Sequence, residues 1–108
     1  MLTIKSSTRN KHHRVALSGE LTIYTALQAK RELPAHLAKG ENLELDLDGI
    51  EELDTAGVQV LLWLKRGAAA QGRSLPFVYH SPAVIDVLNL LWLGGTLGDP
   101  VLLDGPSR

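Results

Sequence analysis

Asp54-Thr55-Ala56-Gly57 is the stretch whose residue types and spacing best suit chemistry. A carboxylate precedes a hydroxyl where an alternating strand gives way to an apolar helix. The first turn of a helix leaves N–H groups without intrahelical acceptors, and Asp54 or Thr55 suits the N-cap that satisfies them. The same place carries the positive end of the helix dipole and accepts an anion readily. A phosphoryl group on Thr55 would add about −1.5 to −2 charge there. The fold tolerates that charge, so a switch at Thr55 acts on a docking partner, as an acidic obstacle, and not by unfolding the domain.

Other constellations support less. His12, His13, His36 and His80 are dispersed, with the adjacent pair in a polar loop, and read as surface histidines and not as a metal site. Asp46, Asp48, Glu51 and Glu52 read as a solvated sheet face and turn. There is no cysteine, no G-x-S-x-G string and no glycine-rich phosphate loop, so neither enzymatic chemistry nor a cofactor is expected. Net charge is −1 with scattered Lys and Arg, which gives no footprint for nucleic acid. No stretch approaches the roughly 20 apolar residues of a membrane span, and the N-terminus lacks a signal-peptide core. The expectation is a cytoplasmic protein with no membrane insertion.

The elements that must position Thr55 follow from periodicity. An apolar share of 44% in 108 residues is enough for one domain, residues 1–108, with its own core. Leu2 and Ile4, then Val15 and Leu17, alternate with polar residues and predict two antiparallel strands joined by a loop at Ser6–His13. Gly19-Glu20-Leu21-Thr22 reads as a strand break. A helix follows with Ile23, Ala26, Leu27, Leu33 and Leu37 on its apolar side, kinked or split at Pro34 and ended by Gly40. Leu43, Leu45 and Leu47 alternate with Glu44, Asp46 and Asp48, a sheet covered by helices on one face and partly open to water on the other. Residues 57–71 form the best-defined helix, with Gly57, Val60, Leu61, Leu64 and Ala68 at helical spacing and Gly72 closing it. Leu75–Tyr79 predicts a short strand. Ser81-Pro82 predicts a helix entry, with Val84, Ile85, Leu88, Leu91 and Trp92 giving that helix its buried side and Gly94-Gly95 ending it. Val101–Leu103 predicts a last strand. The fold class is α/β, one mixed sheet of about five strands in the order ββαβαβαβ, with helices mainly on one face. Trp63 falls off the apolar side of its helix, toward Gln59 and Arg66, and a partly exposed tryptophan there suggests a partner contact.

Three ordered blocks resemble the STAS domains, the family of anti-sigma factor antagonists. Leu45 to Lys65, LDLDGIEELDTAGVQVLLWLK, is similar to that family's signature, in which an aspartate, a phosphorylatable Ser or Thr, a small residue and a glycine open a helix after a strand. Gly19-Glu20-Leu21, followed by Thr25-Ala26, resembles a G-E-L-D string beside the phosphosite. Ser81-Pro82-Ala83-Val84 with Leu93-Gly94 is the third block. The resemblance implies a non-enzymatic switch in which Thr55 accepts phosphate from a serine/threonine kinase that is itself the anti-sigma factor. Its docking surface would combine Glu20, Leu21, Thr22, Ile23 and Tyr24 with Asp54, Ala56, Gly57 and Val58, and Trp63 would add to it. Thr22 stands where the family usually has aspartate. That departure gives weight to other partners known for the family, a lipid ABC transporter ATPase or a chemotaxis-type histidine kinase.

Overall fold

The computed structural model describes residues 1–39 and 42–91. They form β1 (Leu2–Arg9), β2 (His12–Leu21), α1 (Ala26–Leu37), β3 (Asn42–Leu53), α2 (Thr55–Ala70), β4 (Phe77–Val78) and α3 (Pro82–Leu91). The strands make one sheet in the order β1-β2-β3-β4, antiparallel between β1 and β2 and parallel thereafter. The α/β class and the mixed sheet agree with the sequence, with four strands among the described residues and not five. The expected ends at Gly40 and Gly94-Gly95, Trp92 and the expected strand Val101–Leu103 lie outside those residues.

The Ser6–His13 loop is strand instead. Arg9 pairs with His12 across a two-residue turn, Asn10-Lys11, whose φ angles of 51° and 68° are those of the tight hairpin that matches strand twist. The turn needs only two residues, so polar residues read as loop belong to an exposed edge strand. The break at Gly19 is likewise a bulge inside β2. Gly19 has φ 94°, the register shifts there, and the strand runs on to Leu21. An added Cβ would lie 2.0 Å from the Met1 carbonyl oxygen, so only glycine fits. β3 likewise continues through Asp48-Gly49-Ile50-Glu51-Glu52, because pairing with β2 overrides the turn preference of Asp and Gly.

Leu43, Leu45 and Leu47 are buried beneath the helices with Val15, Leu17 and Phe77. Burying each leucine fully is worth about 1.5–3 kcal/mol. Glu44, Asp46 and Asp48 stand half-buried on the opposite face. There Arg14 donates from Nε to Glu44 at 2.6 Å and lies 3.9 Å from Asp46. Burial pushes the Asp46 carboxyl above its ordinary value.

α1 begins three residues later than its apolar pattern suggests. Its buried stripe is Ala29, Leu33 and Leu37, spaced by four, which leaves Ile23 and Leu27 exposed, contrary to the expectation. Pro34 does not split the helix, which ends with the Ala38 N–H on the Pro34 carbonyl. In α2, Gly57, Val58, Val60, Leu61 and Leu64 are buried and Gly72, at φ 70°, follows the end. β4 is shorter than the expected Leu75–Tyr79. Beyond it Ser81 N–H donates to the Leu47 carbonyl and Ser81 Oγ accepts from Val84 N–H, so α3 takes over the edge of β3.

Two histidines are not at the surface. His13 is buried, its Nε2 2.8 Å from the His36 carbonyl and its Nδ1 2.7 Å from Thr8 Oγ1. A carbonyl only accepts, so Nε2 carries a proton and the ring ties β1 to α1. His80 is buried as well. Among the described residues, no three His, Asp or Glu side chains gather as metal ligands, and no helix is long and apolar enough to cross a membrane.

Candidate functional site

β3 ends at Leu53, and Asp54 stands between it and α2 in an extended conformation (φ −117°, ψ −176°). Its two carboxylate oxygens serve two different elements. Oδ1 accepts from Gly57 N–H at 2.9 Å and caps α2, while Oδ2 accepts from Ile23 N–H at 2.9 Å, in the loop between β2 and α1. Asp54 is therefore both a helix cap and the clasp that brings two sequence blocks, 31 residues apart, to one surface. Gly57 makes this closeness sterically possible. A Cβ there would lie 2.0 Å from the Leu21 carbonyl oxygen and 2.7 Å from Leu53 Cδ1, so α2 can seat on the end of β2 only without a side chain.

The clasped loop is a hydroxyl-closed turn. Thr25 Oγ1 accepts from Thr22 N–H at 3.0 Å and donates to the Glu20 carbonyl at 2.8 Å. Thr22 Oγ1 accepts from Tyr24 N–H, two residues on, at 3.3 Å. An aspartate at position 22 would close the same kind of turn with a carboxylate. Thr22 thus keeps the local geometry and removes the charge. With Thr22 and Thr25 buried, the turn thrusts its two central residues outward: Ile23 is 67% exposed and Tyr24 94%. Leu27, the second residue of α1, is 59% exposed.

Thr55 is exposed at the first position of α2, where helix amides and dipole favour an anion. Asp54 directly precedes it, and Glu52 lies three residues before it at the end of β3. Glu20 and Glu52 are register partners at the ends of β2 and β3. A hydrogen bond from the Met1 amino group holds Glu20 below the usual carboxylate value. Glu52 is raised by its hydrogen bond with Glu20, then by the charges of Glu20 and Asp54. A phosphoryl group on Thr55 would join a region that is already negative.

The structure sorts the sequence-derived site residues by exposure. Thr55, Ile23 and Tyr24 are exposed; Glu20, Asp54 and Ala56 are half-buried. Leu21, Thr22, Gly57 and Val58 are buried, so their side chains position the surface and do not form it. Trp63, 40% exposed, lies two helical turns along α2, with Lys30 Nζ 5.3 Å from its ring centroid. Leu27 and Lys30 were not among the candidate residues. The available signal was the phase of α1: counting from Ala29, Leu33 and Leu37 places Leu27 off the buried stripe.

A family model described as "Mlab, STAS domain" matches residues 4–103. No curated protein sequence matches the chain. Among solved structures, one of a Thermotoga maritima protein assigned as an anti-sigma factor antagonist has a TM-score of 0.76 and 21% identity, covering 96% of this chain and 88% of that one. An anti-sigma factor antagonist from Mycobacterium paratuberculosis has a TM-score of 0.73 and 21% identity, covering 99% and 89%. The antagonist SpoIIAA in its unphosphorylated form has a TM-score of 0.64 and 14% identity, covering 97% and 92%. At these identities the structures speak for the fold.

Proposed function

This chain belongs to the STAS domain family, and on that premise we propose that it is a non-enzymatic switch protein, an anti-sigma factor antagonist controlled by phosphorylation of Thr55. Its partner is an anti-sigma serine/threonine kinase, met in the cytoplasm. The observation that carries this reading is the Asp54 clasp, which sets an exposed hydroxyl at a helix N-terminus beside the exposed Ile23 and Tyr24. Unphosphorylated, the patch docks through apolar contact, with Tyr24 as the anchor that interface energetics favour. Phosphorylated, it presents about two negative charges among Glu20, Glu52 and Asp54, and desolvating them against an apolar contact disfavours the complex. The switch needs no rearrangement of the fold.

A second reading keeps the surface and changes the partner to a lipid ABC transporter ATPase or a chemotaxis-type histidine kinase. Thr22 favours it: the buried hydroxyl leaves the turn without the usual carboxylate, so the patch projects only Ile23 and Tyr24. Binding of the kinase to wild-type, Thr55→Ala and Thr55→Glu protein tests the leading reading. Thr55→Ala should bind like wild type and take up no phosphate, while Thr55→Glu should bind weakly. Unchanged phosphate uptake by Thr55→Ala would move the acceptor elsewhere. Co-purification with a transporter ATPase or a histidine kinase in place of the switch kinase would decide for the second reading.

A further inference from the structure

Among the described residues β1 is an edge of the sheet, and its hydrogen-bonding phase is fixed at both ends. Glu20 N–H donates to the Met1 carbonyl at 3.0 Å, and the same register runs without a shift to Arg9 and His12, the pair that closes the two-residue turn. Hydrogen-bonded pairs alternate along an antiparallel ladder, so Thr3, Lys5, Ser7 and Arg9 turn their N–H and C=O groups toward β2. Leu2, Ile4, Ser6 and Thr8 turn theirs outward. Gln28 Nε2, from α1, accordingly reaches the outward carbonyl of Leu2 at 3.1 Å. Among the described residues, no hydrogen bond covers the outward groups of Ile4, Ser6 and Thr8.

Edge strands usually carry a device against pairing with another chain, such as proline, a bulge or a very short length. β1 has none of these: it runs from Leu2 to Arg9 with no proline and no register shift. Its charges, Lys5 and Arg9, share the face opposite the buried Leu2 and select a register. Two copies related by a two-fold axis normal to the sheet would pair these edges antiparallel, with like faces aligned. An axis at Lys5 opposes that residue to itself at about 4.5 Å between Cα atoms, and an axis at Ser7 opposes Lys5 to Arg9; like charges directly opposite disfavour both. An axis at Ile4 needs the Leu2 carbonyl that Gln28 holds. An axis at Ser6 meets none of these obstacles.

We propose that the protein forms a two-fold dimer through this edge, β1 against β1 with the axis at Ser6, so that the two sheets become one. Ser6 pairs with Ser6 of the second copy and Ile4 with Thr8, each pair exchanging two N–H···O bonds. On the other face Lys5 lies opposite Ser7, and Thr3 opposite Arg9. Thr55 follows β3, two strands from this edge, so the dimer leaves the switch surface open and does not depend on it. A contact this small makes a weak, concentration-dependent dimer.

Amide exchange of the full chain by NMR, at about 1 mM and after a roughly hundredfold dilution, reads the pairing. The Ile4, Ser6 and Thr8 amides should be protected only at the higher concentration, while those of Thr3, Lys5 and Ser7, bonded to β2, stay protected at both. Ser6→Pro removes an N–H that the monomer does not use and, beyond it, only the Ser6 contact with His36 Nδ1 at 3.2 Å. It should keep native circular dichroism and sediment as a monomer. Ser7→Glu sets a carboxylate opposite Lys5 of the second copy and should tighten the dimer at least about threefold, while Ser7→Lys should weaken it as much. A monomer at about 1 mM, protection that does not alternate between even and odd residues, a dimer unaffected by Ser6→Pro, or equal dimerisation of the two Ser7 variants would overturn the proposal.

Discussion

Replacing Asp54 by asparagine separates the two jobs of its carboxylate. Asparagine caps helices about as well as aspartate, so one oxygen can still accept from Gly57 N–H. The other position becomes an NH₂ donor, which cannot accept from Ile23 N–H. The loss is then one hydrogen bond to a charged acceptor. Such bonds contribute about 1.5–3 kcal/mol, and the exposure of this one brings the expected cost down to about 1 kcal/mol. Asp54→Ala loses the cap as well, about another 1 kcal/mol. At about 2.1 cal/mol/K of unfolding entropy per residue, each kcal/mol lowers the Tm of 108 residues by about 4 °C. Asp54→Asn should therefore melt about 4 °C below wild type and Asp54→Ala about 8 °C below. Amide exchange followed by NMR gives the sharper reading: Ile23 loses protection in both variants, and Gly57 only in Asp54→Ala. Equal Tm losses for the two variants, or unchanged Ile23 exchange in Asp54→Asn, would refute the clasp.

Gly57→Ala places a methyl within 2.0 Å of the Leu21 backbone oxygen. Overpacking costs about 1–3 kcal/mol, more when the neighbour is backbone, so urea unfolding should show a loss of at least about 2 kcal/mol despite alanine's better helix propensity. Tyr24→Ala, at a side chain 94% exposed, should leave stability within about 0.5 kcal/mol and weaken partner binding at least about tenfold by calorimetry. Asp46 gives a pH-dependent effect. Burial raises its pKa, so the folded state holds the proton more tightly, and stability falls as pH rises through the interval between the unfolded value of about 3.9 and the folded one. Asp46→Asn keeps an oxygen for the Asp48 N–H and should melt above wild type at neutral pH. That advantage should vanish below about pH 3.9 in a Tm series.

The elements whose pattern is set by one buried face were legible in the sequence. Leu43, Leu45 and Leu47 face the core, and Val60, Leu61 and Leu64 face the sheet, because period two and period 3.6 each leave one solution. The misread segments are those where tertiary pairing overrides local preference. Gly19 and Asp48-Gly49 carry turn chemistry, yet both lie in paired strand, since β2 and β3 gain more from pairing than from turning. Ile23 and Leu27 fit a helical period, but the Thr22–Thr25 turn delays the helix to Ala26 and shifts its phase. At the junction, the sequence supplied the cap and the hydroxyl. It did not supply the clasp, because nothing local in Asp54 announces a bond to a backbone group 31 residues earlier. Gly57 was visible as a motif glycine; its reason, the Leu21 carbonyl, belongs to the assembled fold.

The proposed switch stands or falls with Thr55. The direct measurement is site-localised mass spectrometry of the protein purified from its native cells, followed by calorimetric binding of the phosphorylated and unphosphorylated fractions to the copurifying kinase. A phosphoryl group on Thr55 and binding by the unphosphorylated fraction alone are the expected results. Phosphate on another residue, or equal binding by both fractions, would contradict it.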